Sequence, residues 1–314
     1  MSNISKVYLS RYSINGLSPT STYQEIENIL VLLKKNLTVY DRSNNIVIES
    51  AKELLEYVDN GHKLDDVLFD ASNNDLMLYQ EYLKMFEKVI SPYVGYHDTQ
   101  EIVNIITNQE DQIQDRHFSR HYGYISPDTY TWPNIDNKLL THSWSNTLNL
   151  NSEFISQYHT NSRQFIEWSK LNYEYIDFHY DIESTLHTVK QGTYLDYKNL
   201  FSHAMNTLNQ AFHEISNDSN QNEQDLGVIS RISGQLDRTL TCTRQRKNKV
   251  KWDFIHPISN ESEEINCEYH FKINWTDQGL GLHKKKKVRI YFGLKSYNDI
   301  ERKQFKLAHM GKHL

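Results

Sequence analysis

The chain has 314 residues, 38% hydrophobic and 12% aromatic, with 21 Tyr, 11 Gly and 5 Pro; so few chain breakers exclude a disordered or linker-dominated protein, and the aromatic rings supply large side chains to bury. Its net charge of −6 is unevenly spread. Residues 238–314 hold 17 of the 34 Lys+Arg but 8 of the 40 Asp+Glu, so an end of net charge +9 is attached to a body of −15.

Two cysteines, Cys242 and Cys267, exclude a disulfide framework and a four-cysteine zinc site, and read as buried thiols. No leader-like apolar run opens the chain and no stretch reaches 18 apolar residues, so a cytoplasmic protein without a membrane span is expected.

In chain order, residues 6–14 read as a short strand. Residues 23–37 follow as a helix with a Ser/Thr cap. Residues 44–50 suit a strand or the start of a helix, and 51–61 read as helical up to Gly61. The clearest early helix spans 75–91, with Leu76, Leu78, Tyr82, Leu83, Phe86, Val89 and Ile90 at helical spacing. A polar helix is expected over 98–117 and a loop over 123–136. One long helix or two are expected over 152–182. Residues 192–215 form a helix whose apolar face is Leu200, Phe201, Ala204, Met205, Leu208, Phe212 and Ile215. The run 216–225, SNDSNQNEQD, has the composition of a linker.

After residue 238 the texture changes to short β-prone runs, three or four antiparallel strands separated by polar turns. The fold class expected is α+β: a mainly helical, acidic N-terminal body (1–225) with a small antiparallel β-rich basic C-terminal module (238–314).

Cations alternate with aromatics along that module. Arg244, Arg246, Lys247, Lys249, Lys251, Lys284, Lys285, Lys286 and Lys287 are the candidate phosphate contacts, and aromatics between them would stack on unpaired bases. The lysine run also suits a solvated turn that guards a sheet edge. Strand periodicity sets Arg289 and Tyr291 on one face, opposite Val288, Ile290 and Phe292, so a sheet with one apolar face would present Arg, Lys, Tyr and His on the other.

The ending KKKKVRIYFGLKSYNDIERKQFKLAHMGKHL resembles that of bacterial prophage and defence-island proteins that finish in a strand followed by GKHL. More loosely, it resembles the closing strands of RelE-type ribonuclease toxins. This resemblance covers about the last 70 residues. It implies a sheet face that cleaves RNA without metal, with Arg289, Tyr291, His309, Lys312 and His313 at the matching positions. Cleavage by a ribose 2′-OH needs a base, a cation for the phosphorane charge and an acid for the leaving oxygen. His309 or His313 would serve as acid or base, and Arg289 and Lys312 would stabilise charge.

A second pattern, Arg116 and His121 in RHFSRH, resembles the R-x4-H motif of the helical HEPN-type ribonucleases and also reads as a surface basic cluster. Asp177, His179 and Asp181 would share one face on a strand and suit a divalent ion. The surrounding residues favour a helix, where they splay while Glu183 and His187 align. No metal or cofactor is therefore expected.

Phosphate-loop, dinucleotide and α/β-hydrolase motifs are absent from the sequence. The expected function is a nucleic-acid-directed effector of antiphage defence or toxicity, with RNA favoured over DNA and a metal-independent ribonuclease as its sharpest form. The alternatives are a non-catalytic nucleic-acid- or protein-binding component of a defence complex, or a charge-driven homo-oligomer.

Overall fold

The computed structural model describes residues 4–14, 17–18, 20–56, 62–109, 112–114 (backbone), 117–126, 132–236, 238–245, 250–298 and 300–314. The fold is α+β, and the chain forms two compact units, Met1–Leu150 and Asn151–Leu314. The compositional break at 225–238 thus falls inside the second unit. No helix among the described residues is long and apolar enough to cross a membrane.

In the first unit β1 (Ser5–Leu9) leads to α1 (Tyr23–Tyr40), whose N-terminus is closed by a reciprocal Thr22–Glu25 capping box. Ile26, Leu30, Leu33, Leu37 and Tyr40 form its buried stripe. β2 (Ile46–Ser50) follows, so the segment 44–50 resolves as a strand. Residues 52–56 form turns in place of the helix expected up to Gly61, which itself lies outside the described residues. Then come α2 (Leu64–Ala71) and α3 (Leu76–Ile90). Helix α3 buries Tyr82, Phe86 and Ile90 but leaves Leu76 exposed, a narrower stripe than the sequence pattern suggested.

The polar helix expected over 98–117 is cut short. α4 (Thr99–Thr107) ends early, and β3 (Gln112–Gln114) and β4 (His117–Tyr124) take the rest. Gln109 makes the switch: its side-chain amide donates to the carbonyls of Ile106 and His121, and its oxygen accepts the His121 N–H. β5 (Leu140–Thr141) completes a sheet of order β2-β1-β4-β3, with β5 also on β4; only β3 runs antiparallel to its neighbour. α5 (Trp144–Tyr158) contains the boundary between the units.

The second unit adds α6 (Ser162–Asn172), β6 (Ile176–Phe178), α7 (Ile182–Leu186), α8 (Lys198–Ala211) and α9 (Asn222–Gln235). Helix α8 buries Leu200, Phe201, Ala204, Met205 and Leu208, the apolar face read from its spacing. Among the described residues six strands follow: β7 (Cys242–Arg244), β8 (Lys251–Ile255), β9 (Ser262–Asn266), β10 (Tyr269–Ile273), β11 (Val288–Tyr297) and β12 (Ile300–Lys312). Their main sheet has order β6-β12-β11-β10-β7. β6 joins parallel to β12 and the other pairings are antiparallel.

β6 reaches only as far as Leu307 along the outer edge of β12. Beyond it, Thr185 and Thr188 hydroxyls accept the N–H groups of Met310 and Lys312, each at 3.0 Å, so threonines at the end of α7 and just after it replace a strand. Gly311 permits this approach, because a Cβ there would collide with Thr188 Oγ1 and the Thr185 carbonyl.

β8 and β9 form a separate hairpin packed on the sheet, with Phe254, Ile265, Cys267 and Ala308 in one buried cluster. Both cysteines are free and buried, and burial raises both thiol pKa values. Val288 through Gly293 are all buried, so the central strand has two covered faces instead of the single apolar face expected.

The segment 216–225 is structural, not a linker. Within it the chain turns into α9, and Asp225 on that helix is buried against Lys303 of β12 at 2.7 Å.

Candidate nucleic-acid site on the C-terminal sheet

Strand register brings the candidate residues together. Thr243 on β7 pairs with His270 on β10, His270 with Tyr291 on β11, and Tyr291 with His309 on β12. Because side chains alternate along strands, these four share one face. The neighbouring row on that face is Lys272, Arg289 and Gly311. Ring centroids are 5.1 Å apart for His270–Tyr291, 5.8 Å for Tyr291–His309 and 6.4 Å for His270–His313, and Trp252 of β8 stands 6.3 Å from Tyr291.

The contacts separate two classes of residue. Tyr291 is buried and its hydroxyl accepts the Leu314 N–H at 3.3 Å. His309 is buried, and its Nε2 donates to the Lys312 carbonyl at 2.9 Å. Both are committed inside the fold, contrary to the open presentation that one apolar face would have given. The physical reason is that residues on both sheet faces are covered, with the β8–β9 hairpin packed over β11 and β12. His313 is exposed and Lys312 half-buried; the His313 N–H bonds the Lys287 carbonyl at 3.1 Å, which ties the chain's end to the lysine turn.

Arg289 retains 5% of its surface. Its Nη1 donates to the carbonyls of Val288 (2.7 Å) and Ile273 (3.3 Å), while Nε has no partner. His270, missed in the sequence, is equally buried; its Nε2 lies 3.2 Å from Thr243 Oγ1 and its Nδ1 has no partner. Its signal was present in YHFKI, where His270 and Lys272 alternate with three apolar residues.

Electrostatics keep the rings neutral. Burial brings the His270 pKa down to about 4, with Arg289 adding to the shift, and burial brings His309 to about 4. His313 is lowered by burial and then by Arg289. Since a free imidazole titrates near 6.5, the unfolded chain takes up protons below that pH while the folded one resists until about 4. Stability should therefore fall as pH drops through this window, by on the order of 3 kcal/mol for His309 alone. Urea midpoints from about pH 7 to about pH 4 should fall more steeply for the parent than for His309→Leu. Equal slopes would show that the ring is not held neutral by the fold.

Of the proposed phosphate contacts, Lys284–Lys286 form an exposed 3-10 turn capped by His283, half-buried Lys287 follows it in an extended conformation, and no ion pair engages the four among the described residues. Arg244 is instead held by Glu223 at 3.1 Å and Glu268 at 3.0 Å, and Lys251 by Glu264 at 2.5 Å. Arg246, Lys247 and Lys249 lie outside the described residues.

The helical reading of the second pattern is corrected: His121 stands on β4, stacked on Tyr8 with its Nδ1 3.2 Å from the Tyr8 hydroxyl, and burial lowers its pKa. Arg116 lies outside the described residues. The segment after Tyr175 is likewise a strand, not a helix, and Asp177 there pairs with Lys306 at 2.8 Å. No group of three or more ligands able to hold a metal ion occurs among the described residues.

Compared with known proteins, the chain matches no family model, no curated protein and no solved structure.

Proposed function

We propose that the protein is an RNA-directed effector, of the antiphage-defence or toxin-like kind its ending resembles. In this reading the lysine turn grips the strand, and Arg289 and His313 work beside it. The observation that carries the proposal is continuity. An exposed 3-10 turn of three lysines is followed by half-buried Lys287, which runs directly into β11 two residues before Arg289 and whose carbonyl holds His313. Lysines attract the phosphate backbone by releasing counterions. A neutral imidazole at the surface suits a base, and an RNA 2′-OH supplies a nucleophile within the substrate itself.

In the cleavage form, His313 takes the 2′-OH proton, the oxygen attacks phosphorus and the bond to the 5′ oxygen breaks. Arg289 offsets the phosphorane charge, and Lys312 gives the leaving 5′ oxygen its proton.

The burial of Tyr291 and His309 favours a second reading, in which the same surface binds RNA without cutting it. Incubating the whole protein with single-stranded RNA, with and without EDTA, separates the two. EDTA-resistant cleavage that disappears in His313→Ala supports catalysis. Salt-sensitive retention without cleavage supports the binder, and neither activity removes RNA as the target.

A further inference from the structure

The connection between β10 and β11 is an ordered hairpin. The Leu282 N–H donates to the Asn274 carbonyl at 2.8 Å, Trp275 pairs with Gly281, and the Thr276 N–H donates to the Leu280 carbonyl at 2.9 Å. Asp277 anchors the tip. Its N–H donates to the Asp196 carbonyl at 2.8 Å, and its carboxylate accepts the Asn199 and Leu200 N–H groups at 2.9 and 3.1 Å, so its charge is turned to the start of α8. On this fixed frame Trp275 keeps 41% of its surface, the most of the five tryptophans. Cross-strand partners share a face, so a side chain at position 281 would lie beside the indole. Gly281 supplies none, and a Cβ there would meet nothing. The ring is held rigid and left bare on that flank.

Trp275 also walls a cavity of about 240 Å³, together with Arg238, Asp277 and Leu200. The Arg238 wall is fixed as well: the Ser233 hydroxyl donates to the Arg238 carbonyl at 2.7 Å and accepts the Leu240 N–H at 2.9 Å. The Arg238 side chain is exposed and stands 3.8 Å from Asp277, beyond hydrogen-bond reach, so its N–H groups are not spent on that carboxylate.

We infer that this cavity receives one unpaired base of an RNA strand, stacked on Trp275, with the adjoining phosphate on Arg238. The inference rests on the RNA-directed reading and adds a base site to the lysine turn, which begins nine residues after Trp275 in the same connection. A ring beside a guanidinium and a run of cations holds single strands of any sequence, because every base has a face to stack. The volume is below that of sites for drug-sized ligands and suits a single ring system. A base inside a duplex has both faces covered, so the site selects unpaired strands.

The test measures binding of the full chain to a short dye-labelled oligoadenylate and to the same strand with an abasic ribose analogue at every position. The parent should bind the base-bearing strand about tenfold or more tightly than the abasic one. Trp275→Leu should bring that ratio close to one, and Trp275→Phe, which keeps a smaller ring, should restore part of it. Tryptophan emission of the parent should fall as oligoadenylate binds, and most of that fall should be lost in Trp275→Phe. Arg238→Gln should take about 0.7 off the slope of log affinity against log salt.

Equal binding of the two strands by the parent would overturn the base site and leave the RNA reading intact. A ratio kept by Trp275→Leu would put the base elsewhere and overturn the site likewise, and an unchanged slope in Arg238→Gln would overturn the phosphate contact. Free adenosine monophosphate binding as tightly as the strand would reassign the cavity to a nucleotide. Binding of neither strand would remove the RNA reading and the base site with it. Should Trp275→Leu fail to fold, the parent's ratio and the emission change lost in Trp275→Phe decide the matter.

Discussion

Asp225→Ala is expected to destabilise the second unit by about 3–5 kcal/mol, because it strands the Lys303 ammonium in a buried site. The Lys303 side chain is 0% exposed and that of Asp225 3%. The ammonium has three hydrogens and three acceptors, each at 2.7 Å: Asp225 Oδ2, Asn222 Oδ1 and the Asp218 carbonyl. The other Asp225 oxygen accepts the Ser216 N–H at 2.9 Å, so the carboxylate also fixes the turn leading into α9. Removing one partner leaves a charge with nowhere to go, whereas removing both does not. The double variant Lys303→Met with Asp225→Leu should therefore regain most of the loss. Urea denaturation of the three proteins measures both numbers. A single-variant loss below about 1 kcal/mol would place the pair in the range of exposed salt bridges and refute its structural weight.

That same segment shows why parts of this fold were hard to read. SNDSNQNEQD has the composition of a linker because its polar groups point at one another and at a lysine nearly 80 positions away. Composition carries no record of a partner so distant in sequence. The cap on α1, the buried face of α8 and the β-rich ending were legible, since each is written in local spacing. The β4 strand was missed because the His- and Arg-rich run after α4 lacks an alternation that would distinguish it from a polar helix; only the long-range pairing with β1 decides it.

At the candidate site, alternation correctly grouped Arg289 with Tyr291. What it could not show is the β8–β9 hairpin over that face, which depends on Gly293: a Cβ there would stand 2.9 Å from Ile265 Cγ2. Two covered faces turn a presumed open platform into a buried ladder, with His313, Lys312 and the lysine turn left accessible.

The accessible part makes the last and largest functional prediction. Replacing Lys284, Lys285, Lys286 and Lys287 together by alanine should weaken single-stranded RNA binding by roughly two to three orders of magnitude near 0.1 M salt. Every phosphate that is no longer neutralised takes about 0.7 off the slope of log affinity against log salt, so three or four engaged lysines lower it by about 2 to 3. Stability should move by no more than about 0.5 kcal/mol, since Lys284–Lys286 are exposed, Lys287 is only half-buried and none of the four pairs with an acid among the described residues. Arg244→Ala supplies the contrast, because its charge is already neutralised by Glu223 and Glu268 and little is left to attract phosphate. Affinity measured across a salt series reads both effects. A quadruple variant with an unchanged slope would take the lysine turn out of the interface and leave it as a charged guard on the sheet's edge. A fall in slope matched by Arg244→Ala would instead show a diffuse field in place of a defined binding surface.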